Sequence, residues 1–193
     1  RRAAIDRHAA QHSSETPEWG TPKLIVDIAR AVLGRIDLDP FSSAEWNETV
    51  KAGRYFDETA NAFDTHWFAD SQPNQTALVN PPGDRRGAKA KLAWRITESH
   101  HREGWLGGGV IWVMFNLGQF RTLQLAGAMR SPLHPDFLRC VTSKRIPYDT
   151  APGVPGPNPS HDSALVLLPA RGARGGVQCA IFRDACRELG EVF

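Results

Sequence analysis

The segment Asn80-Pro81-Pro82, which follows the apolar run 76–79, is the part of this chain that best fits a chemical role. A proline cannot continue a central strand, and it holds the residue before it in an extended conformation. We therefore expect Asn80 at the carboxyl end of a short buried strand, the edge at which open α/β sheets bind ligands. There the amide of Asn80 and a carbonyl of the turn could accept both hydrogens of a substrate amino group and direct its lone pair toward an electrophile. The alternative is an ordinary Asn-Pro turn that only closes the strand.

A second strand of the same kind lies upstream. Residues 36–39 form a short apolar segment that ends at Asp39 and is followed by Pro40, Phe41 and two serines. Two strand ends with polar side chains predict one shared crevice, because the carboxyl ends of parallel strands lie at one edge of a sheet. The alternative for Asp39 is a cap of the turn that follows it.

The elements that must position these residues alternate between apolar strands and amphipathic helices, which predicts an α/β fold with a largely parallel sheet and an antiparallel return near the end. The first helix has Thr21 as its predicted N-cap, Pro22 in its first turn and Gly34 as its stop. The predicted strands are 36–39, 54–56, 76–80, 110–115, one or two within 137–148, and 163–168. The predicted helices are 24–33, 44–52, 88–101, 119–129 and 180–189. Residues 57–74 are expected to form a loop over a ligand, and residues 151–159 an irregular loop.

The composition is that of an ordinary globular domain. The 193 residues are 41% hydrophobic and 23% charged, with a net charge of +2. This suits one domain, 15–193, preceded by a polar and mobile or loosely docked arm over residues 1–14. Three cysteines without metal-binding spacing predict a reducing cytoplasm and no metal site. The apolar runs are too short to cross a bilayer, so no membrane partner is expected.

A cluster of positive charge follows the Asn-Pro-Pro turn directly, and we call it the basic run: Arg85, Arg86, Lys89 and Lys91. On a nucleic acid such residues contact phosphates and give salt-dependent affinity without reading the sequence. The alternative is the solvated start of a helix. His100 and His101 are predicted to be surface residues rather than metal ligands or acid–base groups. A nicotinamide-nucleotide site is disfavoured, because no Gly-x-Gly-x-x-Gly follows the first strand.

Four motifs stand in order along the chain: Trp19-Gly20-Thr21-Pro22; residues 37–43 with Asn47; Asn61-Ala62-Phe63 with Trp67; and Asn80-Pro81-Pro82. In this order and spacing they resemble the phage and prophage DNA adenine-N6 methyltransferases. The likeness covers most of the chain from about residue 18 and is strongest through Gly83. It implies a single-domain Rossmann-like class I methyltransferase fold with helices on both faces of the sheet. It also implies S-adenosylmethionine as the cofactor, double-stranded DNA as the partner and the cytoplasm of a bacterial host as the location.

The resemblance assigns roles to residues of the motifs. Asn80 and the carbonyl of Pro81, with Pro82 stiffening the turn, would hold the target amino group. Asp39 would bind the amino group of the cofactor. The other residues assigned to the cofactor are Trp19, Thr21 and Pro22 toward its methionine end, Pro40 and Phe41 as a wall, and Asn47, Asn61 and Phe63 at the ribose and adenine. A helix cap explains Thr21 and Pro22 about as well, and Phe63 could simply belong to the core.

The chain departs from the family at Gly83. Amino-methyltransferases usually carry Tyr or Phe after the two prolines, where the ring stacks on a base extruded from the duplex. Either another ring substitutes here, or the substrate is not an extruded adenine. The candidate rings are Phe115, Trp112, Phe63 and Tyr148.

Two other functions stay open beside the DNA methyltransferase. The first is a non-catalytic DNA- or partner-binding protein on the same fold, which has lost base stacking at Gly83. The second is a methyltransferase that acts on an amide nitrogen in a protein, because Asn-Pro-Pro turns serve that chemistry too. Retention of both Asp39 and Asn80 favours an enzyme, since a binding protein has no use for polar groups directed into a cofactor crevice.

Overall fold

A computed structural model of the chain describes residues 19–68, 72–84, 87–124, 130–157 and 161–193. The predicted arm, 1–14, lies outside these ranges. In chain order the elements are α1 (Lys23–Leu33), β1 (Leu38–Asp39), α2 (Ala44–Val50), β2 (Arg54–Tyr55), β3 (Thr76–Val79), α3 (Ala88–Glu103), β4 (Gly109–Met114), α4 (Gly118–Gln124), β5 (Leu138–Thr142), β6 (Asp149–Ala151), β7 (Val154–Pro155), β8 (Ala164–Leu168), α5 (Ala173–Ala185) and β9 (Gly190–Val192). None of the described helices is long and apolar enough to span a membrane.

Seven strands form the central sheet in the order β2-β1-β3-β4-β8-β5-β9. The pairs β1–β2, β1–β3 and β3–β4 are parallel, whereas β8 runs antiparallel between β4 and β5. Five of the seven strands, β1 to β5, therefore point in one direction, and β8 and β9 point in the other. This confirms the prediction of an α/β fold with a mostly parallel sheet and an antiparallel return near the end.

The order of the strands reverses next to β1. After β1 the chain adds β2 on one side and then crosses to add β3 on the other side. At such a switch point the loops that leave the two central strands turn away from each other, which opens a crevice at the carboxyl edge of the sheet. The topology thus makes the edge between the ends of β1 and β3 the expected position of a ligand crevice.

Two apolar cores cover the two faces of the sheet. Alternate side chains of β4 enter different cores, as the alternation of a strand requires: Ile111 and Val113 join the core that contains α1 and α5. Trp112 and Met114 join the core that contains α3, α4 and the loop before β3. Helices therefore lie on both faces, and β4 is buried along its whole length.

Several local predictions were wrong. Thr21 is not the N-cap of α1: Pro22 takes that position, and no side chain caps the helix. Residues 151–157 do not form an irregular loop, because β6 and β7 pair as a hairpin with Gly153 at a φ of 74° in its turn. Asp149 joins this hairpin to the start of the described chain through two backbone hydrogen bonds with Gly20, of 2.9 and 3.1 Å.

Helix α5 begins at Ala173, seven residues before the predicted start, and β9 was not predicted. The early start was missed because Gly175 and Gly176 lower helix propensity. In the fold Gly175 serves close packing instead. A Cβ atom there would lie 2.1 Å from the Ala170 carbonyl oxygen, so only glycine lets the first turn of α5 approach the end of β8.

Candidate active site

Asp39 and Asn80 lie side by side at the carboxyl edge of the sheet. Asp39 is the last residue of β1, and Asn80 follows the last residue of β3. The two strands are parallel neighbours, with Leu38 opposite Ala77. Both polar residues therefore border the crevice at the switch point, where the sequence predicted that they would meet.

The amide of Asn80 is held by Thr21. Its Nδ2 donates a hydrogen bond of 3.1 Å to Thr21 Oγ1, across 59 residues of sequence. Thr21 is itself only 6% exposed, so its hydroxyl is a fixed acceptor. No described residue donates to Asn80 Oδ1, which leaves that oxygen as the acceptor for a ligand. Thr21 thus has a positioning role that the prediction of a helix cap missed, because no local signal indicates a contact over such a separation.

The carboxyl group of Asp39 is buried without a countercharge. The residue is 2% exposed, and none of the ion pairs in the described part of the chain includes it. Burial raises its pKa to about 7, although a backbone hydrogen bond of 3.3 Å from Phe41 N and the nearby Ser42 hydroxyl both favour ionisation. The Ser42 hydroxyl is also buried and makes no hydrogen bond of normal geometry in the described structure. A cationic group with hydrogens to donate would satisfy both side chains.

Aromatic rings line the crevice next to Asp39. The Phe41 ring lies 5.0 Å from the Phe63 ring and 6.0 Å from the Trp67 ring, between ring centroids. Phe41 and Phe63 are both partly buried, and Pro40 is buried. These rings form an apolar surface that could contact a flat heterocycle.

Two predicted cofactor contacts have structural partners instead. Asn47 accepts a 2.8 Å hydrogen bond from Ala52 N and donates one of 3.2 Å to Ala52 O, and so closes the turn after α2. Asn61 has a φ of 43° and accepts a hydrogen bond of 3.3 Å from Phe63 N, which fixes the turn that carries the Phe63 ring. The structure therefore gives both residues the role of shaping the loops around the crevice.

The Trp19-Gly20 segment fits tightly beside α2 and the hairpin. A Cβ atom at Gly20 would lie 2.1 Å from the Trp46 ring, so only glycine can occupy this position. Trp19 is 41% exposed and lies against Gly156, just after β7. Gly20 and Trp19 thus fix the start of the segment that brings Thr21 to Asn80.

The basic run is described only in part. Lys89 is exposed and Lys91 is partly buried, both in the first turn of α3, whereas Arg85 and Arg86 lie outside the described residues. Asp84 accepts hydrogen bonds from Ala88 N, at 3.0 Å, and from Lys89 N, which caps the helix directly after the Asn-Pro-Pro turn. Gly87 occupies the N-cap position itself, so Asp84 contacts the helix from outside the usual capping position.

The histidines of α3 are not surface residues, which corrects the prediction. His101 is 6% exposed and contacts the Pro169 carbonyl through Nε2 at 2.8 Å and Arg130 through Nδ1 at 3.2 Å. Nε2 must carry the proton, and burial lowers the pKa of His101, so the ring is neutral. His100 packs on the Phe68 ring at 4.9 Å, and burial lowers its pKa too. No group of His, Cys, Asp and Glu within the described residues has the geometry to hold a metal ion.

Two shallow grooves of about 400 and 290 Å³ lie along α3 and at its carboxyl end. The second groove is lined by His101, Arg130 and Arg171, among others. Arg130 donates to the fully buried Glu98 at 2.7 Å, so its charge is already matched within the fold. These grooves are lined by no residue of the Asp39–Asn80 edge and contribute nothing to it.

Comparison of the chain with protein-family models, with curated proteins and with solved structures finds no match. A functional assignment must therefore come from the crevice itself: a buried carboxyl without a countercharge, an amide anchored through its nitrogen, and an aromatic wall, all at the switch point of an α/β sheet.

Proposed function

We propose that this chain is an S-adenosylmethionine-dependent methyltransferase that acts on the N6 amino group of adenine in double-stranded DNA. One observation carries the proposal: Asp39 and Asn80 end adjacent parallel strands at the switch point, and Thr21 fixes the amide of Asn80. One strand end fits a cation, and the other fits the hydrogens of an amino group. Their adjacency suits a reaction between two bound molecules.

The residues around Asp39 fit the cofactor. Its buried carboxyl lacks a countercharge among the described residues, and an α-ammonium group would supply one. The Ser42 hydroxyl could accept a further hydrogen from the same group. The Phe41 and Phe63 rings provide an apolar surface for a purine. Bound there, the cofactor would supply an electrophilic methyl group on a sulfonium, and the electrons of the broken carbon–sulfur bond would remain on sulfur.

Asn80 would activate and orient the nucleophile. Its Oδ1 and the carbonyl of Pro81 would accept the two hydrogens of an exocyclic amino group, which turns the nitrogen lone pair toward the methyl carbon. As the new nitrogen–carbon bond forms, the nitrogen gains positive charge, and these two oxygens stabilise that charge. The excess proton then leaves to water. The Thr21 hydroxyl holds the Asn80 amide, so the acceptor needs no reorganisation during the step.

DNA is the partner that the surroundings of the turn favour. The basic run begins two residues after Gly83, and Lys89 and Lys91 project from the first turn of α3. The backbone on either side of an inserted nucleotide would pass this helix, where the lysine side chains attract phosphate. In this proposal the protein works in the cytoplasm of a bacterial host.

One observation favours a different substrate. Gly83 leaves the turn without the ring that usually stacks on an extruded base, and a protein amide nitrogen would need no such ring. Methylation of a protein amide is therefore the second candidate. A protein that only binds DNA or another partner is less well supported, because such a protein gains nothing from an Asn80 amide held in place by Thr21.

The test measures cofactor binding first and methyl transfer second. Calorimetry with S-adenosylmethionine should show binding, and Asp39→Ala should abolish it while the exposed Asp27→Ala, on α1, leaves it intact. Transfer of labelled methyl to unmodified duplex DNA, with the product digested to N6-methyl-2′-deoxyadenosine, identifies the acceptor. Label in protein instead of DNA would favour the second candidate. No binding at millimolar cofactor would refute both enzymatic proposals.

A further inference from the structure

The Asn-Pro-Pro turn has an aromatic ring beside it after all, and the ring comes from the next strand. A Cβ atom placed on Gly83 would lie 3.4 Å from Phe115 Cζ and 3.8 Å from Phe115 Cε1, which are ordinary van der Waals distances. The Phe115 ring therefore borders the space that a side chain at position 83 would enter. Phe115 follows β4 directly, and β4 is the parallel neighbour of β3.

The position of Phe115 follows from the register of the two strands. Val79, the last residue of β3, lies opposite Trp112, so Phe115 leaves β4 at the level of the proline turn. The chain thus brings the ring to the same edge as Asn80. Phe115 is partly exposed there, while the six residues of β4 before it are all buried.

The other candidate rings pack against other parts of the protein or are buried. Trp112 is fully buried and meets Trp94 edge-on at 5.0 Å. Phe63 packs on Phe41 on the cofactor side of the crevice. The Tyr148 hydroxyl is buried, and burial raises its pKa. Among the candidates only Phe115 combines partial exposure with contact at Gly83.

His161 supports the Phe115 ring from the side. The two ring centroids lie 6.2 Å apart with an angle of 83° between the planes, so one ring meets the other edge-on. An edge-on neighbour fixes the tilt of a ring and leaves a face available for stacking. His161 precedes β8, the antiparallel partner of β4, and Met114 lies opposite Ala164, so the two rings flank adjacent strands at one edge of the sheet.

We propose that Phe115 is the stacking surface for the extruded adenine, and that it replaces the ring which this chain lacks at Gly83. The inference rests on the proposed DNA methyltransferase function and names a further substrate contact at the same site. Stacking of a base on an aromatic side chain offsets the cost of removing the base from the duplex. The glycine and the phenylalanine are then a matched pair, because a ring at position 83 would compete with Phe115 for one space.

The test moves the ring from one strand to the other. Three proteins are compared with the parent: Phe115→Leu, the double variant Gly83→Phe/Phe115→Leu, and Phe120→Leu as a control that removes a partly buried ring of α4. The readouts are methyl transfer to duplex DNA and calorimetric binding of S-adenosylmethionine. Phe115→Leu should lower kcat/KM for DNA about 10- to 100-fold, the scale of one lost base–aromatic stack, with unchanged cofactor binding.

Recovery of at least tenfold in the double variant would support stacking, because a ring that merely filled the core at position 115 could not act from position 83. A Phe115→Leu protein as active as the Phe120→Leu control would refute the role of Phe115, and so would a double variant without recovery. Failure of the underlying function looks different: the parent itself would then transfer no methyl group to DNA, and both proposals would fall together.

Discussion

Because the carboxyl of Asp39 is buried, we expect a substitution there to raise the stability of the fold and to abolish cofactor binding. Burial raises the pKa of Asp39 from 3.8 to about 7. Between these two pH values the folded chain keeps a proton that the unfolded chain releases, so this group's contribution to stability is complete below about pH 4 and is lost as the pH rises to about 7. At roughly 1.4 kcal/mol per pH unit, the loss reaches about 4 kcal/mol above pH 7.

Asp39→Asn removes this loss and keeps a side-chain oxygen that can accept the hydrogen bond from Phe41 N. We expect the variant to unfold with a free energy up to about 4 kcal/mol higher than that of the parent at pH 8, and nearly equal to it at pH 4. Urea unfolding at half-unit steps from pH 4 to pH 8.5, without cofactor, measures the difference. The control is Asp27→Asn on the exposed side of α1, whose difference from its parent should stay within about 0.5 kcal/mol throughout.

A constant difference between Asp39→Asn and the parent from pH 4 to pH 8 would refute the assignment of a buried, protonated carboxyl. So would a midpoint of the change below about pH 5, since the carboxyl would then be ionised in the fold without penalty. Either result would also remove the reason to expect a cationic ligand at the end of β1.

The remaining predictions concern ligands. Binding of S-adenosylmethionine to the parent should weaken about tenfold per pH unit below about 7, because a cation favours ionised Asp39; calorimetry with Asp39→Ala provides the baseline. Asn80→Ala should reduce methyl transfer about a hundredfold or more with little change in cofactor affinity, and an active variant would show that the turn is only structural. Thr21→Val should lower kcat about tenfold, less than Asn80→Ala does, because it frees the Asn80 amide without removing it. A loss of kcat that is explained by a matching loss of thermal stability would contradict this. Neutralising the basic run should weaken DNA binding equally for all sequences and flatten the salt dependence by up to about 0.9 log units per lost contact; an unchanged slope would identify a solvated helix start.

The parts of the site that depend on local signals could be predicted from the sequence. Prolines after Asp39 and Asn80 end their strands, and Gly34 and Gly104 end α1 and α3, because these residues restrict or free the backbone wherever they stand. The shared edge then follows from parallel pairing, which the alternation of strands and helices predicts.

The parts that depend on contacts between distant residues could not be predicted. No sequence feature near Thr21 indicates its hydrogen bond with Asn80. Likewise, no feature near Gly83 indicates that the Phe115 ring lies beside it. The burial of His101 was missed because it results from Pro169 and Arg130 closing over α3. The start of α5 was missed because the glycines serve close packing, which outweighs their poor helix propensity.

The place of β8 in the sheet has a consequence for the chain during synthesis. The partner of β4 on one side, β3, is synthesised before it. Its other partner, β8, follows only after residues 115–163, which include α4, β5 and the hairpin. Until then one side of this fully buried strand presents unpaired N–H and C=O groups, the arrangement that promotes edge-to-edge association. A ribosome that stalls in this interval, or a message that ends within it, releases a polypeptide with this open edge, and the cell's chaperones and proteases must deal with it before it aggregates.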